Sequence, residues 1–498
     1  MRPFRFANVL PMAAVSVAEM RAIERKAMDA GVTEAELMSM AGEALGNALG
    51  RAFPEVGTAV AFIGKGHNAG DALIALRVLG ERFGWRVSVR AAYPVEEWAA
   101  LTKAQLRGLS LVESVHAEPG ALLLLDGLLG IGAKGAPRGA IAELIREMDQ
   151  LRRTRGAVVA AVDNPSGVDP DSGEVFPGAV TADTTFMIGA AKRGLLLGSA
   201  ANATGALHLV TVAGLEAEGA GEMELISPQT MHFGKRPRPF DFHKGKAGRV
   251  AIVAGSPRFT GAALISALGA IRGGGGLVTL YAPSAACDAI RSRLPLEAML
   301  SPCDDPSRLL SEKCDALVIG PGLGEMEASY AYPLAELISN TRVPTVIDAD
   351  ALNLLAQRGI KPNSLHVLTP HPGEFARLAP TLSEISRENA ALTFVSGNGG
   401  VLLLKGARTL VAKDGEPLRV NSTGTPAMSN GGQGDLLSGV IGALVAGGME
   451  PFDAASLGAW LCGRAAEISF SENGSPVTAS DTADYLGLAW RDWQRAGR

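Results

Sequence analysis

The chain lacks long apolar runs and has few aromatic residues among its 498 positions. No run reaches the ~18 apolar residues that a membrane span needs, so we expect no membrane partner. Aromatic residues make up 5% of the chain, too few for a surface that stacks nucleic-acid bases. The net charge of −5 provides no basic surface for a polyanion, so we also expect no nucleic-acid partner.

Cysteine is scarce as well, and the spacing of the four cysteines excludes a C-x-x-C redox motif and a zinc site. The four cysteines all lie in the second half and form neither a C-x-x-C pair nor a zinc-ligand pattern. We expect reduced thiols in a cytoplasmic protein. A short apolar stretch near the N-terminus is followed at once by Glu19 and a helical pattern, which is not the pattern of a secretory signal.

The first half alternates strand-like apolar runs with helical stretches. Residues 58–64, 85–93, 121–130 and 157–167 read as strands, and residues 71–84 and 142–153 as helices. Continuous apolar runs suit strands that are buried on both faces. The alternation predicts an α/β fold with a mostly parallel, Rossmann-like sheet and helices on both faces.

Composition shifts in residues 214–246, first to acidic and glycine-bearing sequence and then to basic sequence with prolines. We interpret this stretch as a linker and expect two domains, 1–221 and 222–498. The second half restarts the strand and helix alternation, with strand patterns at 248–256 and 399–416 and a strongly apolar helix at 434–448. The run of glycines at 273–276 reads as a helix end and turn.

The sharpest local feature of the first half is GKGHNAGDAL, residues 64–73, which follows a strand and opens a helix. Glycines there let backbone amides approach a phosphate, and a helix N-terminus favours negative charge. The spacing is not that of the G-x-G-x-x-G fingerprint. A tight structural turn with a capping Asn or Asp is the alternative.

Two more polar groups stand where strands end, Asp126 after ALLLL and Asp163 after AVVAAV. Ligands of open parallel sheets bind outside the carboxyl ends of the strands. The DNPSG segment that contains Asp163 and Ser166 is either part of such a site or a plain turn. Oxygens of Asn68, Asp126 and Ser166 together could hold a hard cation.

Together with several further motifs, these residues make the first half resemble the YjeF N-terminal family, the NAD(P)HX epimerases, over about residues 15–215. The motifs EMRAIERKAMDAGV, LMSMAG, LLDGLLGIGAKG and AVDNPSGVDPDSG carry the resemblance. It implies epimerisation at C6 of hydrated NADH or NADPH, with potassium bound by Asn68, Asp126 and Ser166. It also assigns the substrate contacts: His67, Asn68, Ala69, Gly70 and Asp71; Gly130, Ile131, Gly132, Ala133, Lys134, Gly135 and Ala136; and Asp163.

The turn departs from the family pattern N-N-G-G-D-G, because this chain reads His67, Asn68, Ala69, Gly70, Asp71 and Ala72. Alanine in place of glycine disfavours a positive φ, so we expect a narrower approach to the ligand at this turn. Asp163 is the best placed acid or base for inverting C6. Hydroxide loss and ring opening both remain open as routes.

The strongest signal of the second half is TGTPAMSNGGQGDLLSG, residues 423–439. A glycine-rich turn that opens an apolar helix exposes amides able to hold charge on a transferring phosphoryl group. Asp435 stands at the helix start, where it could take a proton from a hydroxyl. A first-turn Asp that only complements the helix dipole is the alternative.

Other strand-end motifs point the same way: GPGLG at 320–324, IDADALN with Asp348 and Asp350, and TPHPGE with His371 and Glu374. Lys405 follows a further strand, where it could lie near nucleotide phosphates. His371 alone would read as a structural turn histidine. No Walker A motif is present, which excludes a P-loop enzyme.

The second half is similar to the YjeF C-terminal family, the ribokinase-like ADP- or ATP-dependent NAD(P)HX dehydratases. The resemblance runs from HKGKAGRVAIVAGS to about residue 485 and implies magnesium and ADP or ATP. It places hydrate contacts at Ala262, Gly322, His371 and Asp435, and nucleotide contacts at Lys405, Gly406, Ala407, Arg408, Thr409 and Gly434. Asp435 would then be the catalytic base, with Asp348, Asp350 or Glu374 as outer contacts of magnesium.

The leading interpretation is a bifunctional enzyme that repairs hydrated NADH and NADPH, and we expect a cytoplasmic homo-oligomer. One alternative is a ribokinase-type kinase of a small alcohol. The other is a dehydratase joined to a non-catalytic dinucleotide-binding domain, which the altered turn supports.

Overall fold

The computed structural model describes residues 13–115, 120–217, 221–231 and 240–496. It divides between Leu225 and Ile226 into two compact units. Residues 1–221 and 222–498 remain our proposed domains. Within the described ranges, no helix combines the length and apolar character that crossing a bilayer requires.

In the ranges that the structure describes, the first unit contains six α-helices and six strands. They are α1 Val17–Asp29, α2 Glu34–Ala52, β1 Thr58–Ile63, α3 His67–Phe83, β2 Arg86–Ala91, α4 Ala100–Ala104, β3 Leu122–Gly127, α5 Gly139–Arg155, β4 Val158–Val162, β5 Thr184–Ile188, α6 Ala201–Thr204 and β6 Ala206–Val210. The strand order is β2-β1-β3-β4-β5-β6, and these neighbouring strands pair in parallel. The parallel sheet predicted from the apolar runs is confirmed.

Strand β1 shows why its sequence is apolar at every position. Ala59, Ala61 and Ile63 pack into a cluster with the helices α2 and α3, whereas Val60 and Phe62 pack into a second cluster with α5. Successive side chains of a strand point to opposite faces. Helices therefore cover both faces of this sheet, as the sequence predicted.

The second unit is a larger α/β body. Its elements, with the strand that lies at the division, are β7 Met223–Ile226, β8 Arg249–Val253, α7 Thr260–Arg272, β9 Leu277–Ala282, α8 Ser284–Arg291, β10 Ala298–Pro302, β11 Ala316–Ile319, α9 Ala328–Asn340, β12 Thr345–Ile347, α10 Asp350–Arg358, β13 His366–Leu368, α11 Pro372–Leu378, α12 Arg387–Asn398, β14 Val401–Leu404, β15 Leu410–Lys413, β16 Leu418–Asn421, α13 Gln433–Ala446, α14 Pro451–Asn473 and α15 Ala479–Ala496. The sheet order is β10-β9-β8-β11-β12-β13-β14-β15-β16-β7. From β10 to β14 the strands are parallel, and β15 and β16 continue antiparallel.

The prediction that residues 214–246 form a linker is wrong for residues 223–226. Residues 223–226 form β7, a fully buried strand next to β16. Four residues are too few to show a strand period, and the neighbouring strand lies about two hundred residues later in the chain, so local sequence gave no signal. The basic residues 232–239 lie outside the described ranges. The glycine run does end a helix, because Gly273 caps α7.

Candidate active sites

The first candidate site begins at the N-terminus of α3. The helix starts at His67, with Gly66 as its N-cap and no side chain capping its amides. The predicted turn at 67–72 is therefore wrong, because these residues are already helical and none of them has a positive φ. Ala69 and Ala72 are buried. The positive φ that alanine would disfavour is not required here, since helical φ values suit alanine better than glycine.

The three predicted cation ligands, Asn68, Asp126 and Ser166, lie close together beside this helix. The buried Asp126 carboxylate accepts hydrogen bonds from the Ser166 hydroxyl and amide, both at 2.7 Å. Ser166 Oγ in turn accepts from the Leu129 amide at 2.9 Å, and Asn68 Nδ2 donates to the Leu129 carbonyl at 3.1 Å. The carboxyl ends of β3 and β4 and the start of α3 thus meet at one point, as the strand-end argument predicted.

Burial dominates the electrostatics of Asp126. It raises the pKa of this carboxyl to about 6, against the opposing hydrogen bonds from Ser166 and Leu128. Among the described residues, no cationic side chain pairs with Asp126. A buried carboxylate of this kind, next to the Ser166 hydroxyl, could hold a monovalent cation.

The loop at 130–136 joins β3 to α5 and lies against the same helix start. A Cβ placed on Gly130 would stand 3.2 Å from the Asn68 Cβ, so this glycine allows the two segments to approach. A Cβ on Gly132 would stand 2.9 Å from an Arg21 guanidinium nitrogen. The loop residues predicted to contact substrate therefore border Asn68 and the helix α1.

Asp163 has a partner that the sequence reading missed. It adopts a φ of 65°, and its carboxylate accepts from the Ile188 amide at 2.8 Å and from the Lys192 ammonium. Lys192 is 1% exposed and also donates to the Ile188 carbonyl at 2.7 Å. This lysine follows the apolar run TTFMIGAA, and recognising that run as a strand would have placed it at the same sheet edge.

A pocket of ≈ 140 Å³ opens at this point. Its ionisable lining residues are Glu24, Glu34, His67, Asp71, Asp163 and Lys192. Burial, with the charges of Asp163 and Glu24, raises the pKa of Asp71 well above its usual range. Methionine and leucine side chains complete the wall, so the pocket combines apolar surface with converging acids.

The second candidate site lies at the N-terminus of α13. Gly432 caps the helix with a φ of 96°, and Asp435 stands in the first turn. Burial, with the nearby charge of Asp348, raises the pKa of Asp435 to about 7. A carboxyl with this pKa is suited to accept a proton near neutral pH.

Lys405 and Asp348 form the centre of this site. Lys405 Nζ donates to the buried Asp348 carboxylate at 3.0 Å and lies 3.9 Å from Glu374. Burial disfavours the charged form, but Asp348 and Glu374 outweigh it and raise the pKa of Lys405. A Cβ on Gly434 would stand 3.1 Å from Nζ, so the ammonium lies beside the first turn of α13. Ser438 donates to Asp348, a contact that sequence reasoning missed.

The other residues predicted to contact the hydrate are Ala262 in α7, Gly322 in the segment after β11, and His371 at the N-cap of α11. A Cβ on Gly322 would stand 2.9 Å from the Ala262 Cβ, so these two segments touch. Asp350 accepts from the Gly324 amide at 2.7 Å, which joins the same loop to α10. His371 caps α11 by accepting from the Gly373 amide at 3.0 Å, so the structural role considered for it is present.

Arg387 stabilises the start of the loop at 405–409 by donating hydrogen bonds to the carbonyls of Leu404 and Lys405. Thr409 Oγ1 donates to the Gly406 carbonyl at 3.1 Å. Arg408 points inward and is buried, and burial lowers its pKa to about 10. Gly406 and Ala407 are exposed, so the loop backbone can be reached by a ligand.

The carboxylates expected near magnesium are already engaged with protein donors. Asp348 accepts from Lys405, Asp350 from Gly324, and Glu374 from the His371 amide at 2.8 Å. In the described part of the chain, no three His, Cys, Asp or Glu side chains are arranged to hold a metal ion.

Comparison with known proteins identifies both halves. The family described as YjeF-related protein N-terminus matches residues 34–194, and the family described as NAD(P)H-hydrate dehydratase matches residues 250–487. A bifunctional NAD(P)H-hydrate repair enzyme of Escherichia coli K12 is 37% identical over 468 residues, which covers 90% of this chain and 88% of that protein.

Two solved structures are also similar. A ribokinase-like superfamily protein from Enterococcus faecalis V583 has 25% identity and a TM-score of 0.49, covering 55% of this chain and 98% of its own. The ADP/ATP-dependent NAD(P)H-hydrate dehydratase from Bacillus subtilis has 30% identity and a TM-score of 0.46, covering 51% and 93%. Sequence identity along most of both chains in the Escherichia coli comparison confirms the resemblance stated from the motifs. The chain belongs to the family of bifunctional NAD(P)H-hydrate repair enzymes.

Proposed function

We propose that the chain repairs hydrated NADH and NADPH in two steps, epimerisation in the first half and nucleotide-dependent dehydration in the second. Family membership supports both activities. The observation that carries the dehydratase is the position of Asp435, in the first turn of α13 beside Lys405. Helix amides, an ammonium group and a base are the parts that phosphoryl transfer to a hydroxyl requires.

In the dehydratase step, Asp435 takes the proton of the C6 hydroxyl as that oxygen attacks the terminal phosphoryl group of ADP or ATP. The amides of the glycine turn and Lys405 hold the charge of the transferred group. Loss of phosphate from C6 then restores the dihydronicotinamide ring. Asp348, Asp350 and Glu374 would be outer contacts of magnesium, which when bound to the nucleotide would neutralise charge on its phosphates.

In the epimerase step, the start of α3 and the loop at 130–136 bind the hydrated dinucleotide, and Asp163 transfers a proton at C6. Asn68, Asp126 and Ser166 would hold potassium, which when bound supplies positive charge beside the buried Asp126. That charge would fix the strand-end loops in register. The helical φ values of residues 67–72 suit alanine, which supports a catalytic first half over a non-catalytic one.

The experiment that tests this function is the consumption of a mixture of R and S hydrates of NADH with ADP or ATP. We expect a fast phase from the S hydrate and a second phase limited by epimerisation, both followed as returning dihydronicotinamide absorbance. Asp126→Ala and Asp163→Ala should slow only the second phase, because they change the first site alone.

Three results would contradict parts of this proposal. A second phase no faster than spontaneous epimerisation would favour a non-catalytic first half. A fast second phase in both variants would show that other residues carry the chemistry. Phosphorylation of a small alcohol without hydrate repair would favour a ribokinase-type kinase.

The pKa of Asp435 predicts the pH dependence of dehydration. A base must be unprotonated to act, so kcat/KM for the S hydrate should rise with pH through about 7 and then level off. The value of kcat/KM at each pH is obtained from initial rates at low hydrate concentration, with saturating nucleotide and fixed ionic strength. A profile that is flat on the acidic side of neutrality would contradict Asp435 as the base.

A further inference from the structure

The pocket of the first unit holds two carboxyl groups in unlike surroundings. Asp163 has the buried Lys192 ammonium and the Ile188 amide as partners. Asp71, on α3, has no hydrogen bond to its carboxyl group from any described residue, and it lines the same pocket. An ammonium partner favours the charged form of a carboxylate, whereas a partly buried carboxyl group without a partner favours the neutral acid.

Such a difference assigns chemical roles. When two neighbouring acids have environments that separate their protonation states, the neutral one can donate a proton and the charged one can accept it. The raised pKa of Asp71 agrees with the neutral form of that group. The sequence reading gave Asp71 only a binding role, because its environment could not be seen from spacing.

The pocket also has an excess of acidic groups. Glu24, Glu34, Asp71 and Asp163 face it, against Lys192 and His67. Burial raises the pKa of Glu24 as well, which leaves Glu34 and Asp163 to set against the buried lysine. Fixed negative charge stabilises a cation that forms during a reaction, and destabilises an anion. The pocket therefore favours a route in which the bound ring becomes positively charged.

We propose that Asp71 is a second catalytic residue of epimerisation, acting as the acid opposite the base Asp163, and that the C6 hydroxyl leaves as water. This rests on the proposed epimerase function and chooses between the two routes that the sequence left open. Ring opening would instead keep the C6 oxygen on the substrate.

The step balances without any further reactant. Asp71 gives its proton to the C6 hydroxyl, the C–O bond breaks with its electron pair on the departing water, and the N1 lone pair forms an N1=C6 double bond. Water then adds to the other face of this cation, and the Asp163 carboxylate takes the proton that the water releases. The proton returns from Asp163 to Asp71 through solvent, so ring oxidation state and net composition are unchanged.

The test is to follow the R hydrate of NADH with the full chain in ¹⁸O-water without nucleotide. We expect every molecule inverted by the enzyme to carry one solvent oxygen at C6, measured by mass spectrometry after subtracting the uncatalysed reaction. Asp71→Asn should lower the inversion rate by about 10²–10⁴-fold, the usual size of a lost proton donor. Asp149→Asn changes a half-buried Asp on α5 that is paired with Arg153; it is the matched control, and we expect it to leave the inversion rate unchanged.

The outcomes separate this proposal from the function on which it rests. Inverted product that keeps its original oxygen overturns the water-loss route, and this measurement on the wild type does not depend on a variant that folds. A folded Asp71→Asn protein that inverts at the normal rate overturns the acid assignment. A wild type no faster than the uncatalysed reaction overturns the epimerase function and this proposal together.

Discussion

Asp435→Asn should reduce nucleotide-dependent dehydration by about 10²–10⁴-fold, the range expected for loss of a general base. The side chain keeps its size, so packing around the first turn of α13 is preserved. Asparagine cannot take the hydroxyl proton, and the attacking oxygen stays a weak nucleophile. The first-turn alternative, in which Asp435 only complements the helix dipole, predicts a change in stability and little change in rate.

The measurement is the single-turnover rate of S-hydrate dehydration at saturating ADP. The far-UV circular dichroism spectrum checks that the variant is folded. Asp453→Asn is a suitable control, because Asp453 also lies in the first turn of a helix, α14, away from the glycine turn. Near-normal turnover by a folded Asp435→Asn protein would defeat the assignment. Equal losses in the two variants would point to a general structural effect.

Gly439→Ala should damage both the stability and the activity of the second half. Helices α7 and α13 approach so closely that a Cβ on Gly439 would stand 2.0 Å from the Ser266 carbonyl oxygen and 2.8 Å from the Ala270 amide nitrogen. Both atoms are backbone, so no side chain can turn away. Overpacking usually costs about 1–3 kcal/mol, and we expect a loss of free energy of unfolding of at least about 3 kcal/mol here.

The same change should lower dehydration, because α13 carries Asp435 and moves away from α7 to make room. Gly487→Ala is the matched control: Gly487 is exposed in α15, with nothing within 4 Å of the added Cβ and no positive φ. Alanine there should be neutral or stabilising by about 0.5–1 kcal/mol.

Urea unfolding of the two glycine variants, followed by tryptophan fluorescence, measures the difference. The second half contributes Trp460, Trp490 and Trp493 to this signal, and all three are buried. Equal midpoints for Gly439→Ala and Gly487→Ala would show that α7 and α13 are not in the close contact described. Full dehydratase activity in a destabilised Gly439→Ala protein would show that this contact does not position Asp435.

The sequence by itself determined the architecture and the location of both sites. Apolar runs such as 121–125 require strands buried on both faces, and polar residues that end such strands, Asp126 and Asp163, must meet at one sheet edge. These inferences depend only on local periodicity and on the geometry of parallel sheets. Asp435 was found in the same way, from a glycine turn that opens an apolar helix.

The tertiary structure decided what local pattern does not encode. Strand β7 exists because a distant strand pairs with it, and the start of α3 is helical because buried Ala69 and Ala72 pack where a turn was expected. The ion pair between Lys192 and Asp163 joins two loops, and no described residue donates a hydrogen bond to the Asp71 carboxyl group, whose pKa burial raises. Protonation depends on burial and on neighbours far apart in the chain, so it could be read only once the fold had brought them together.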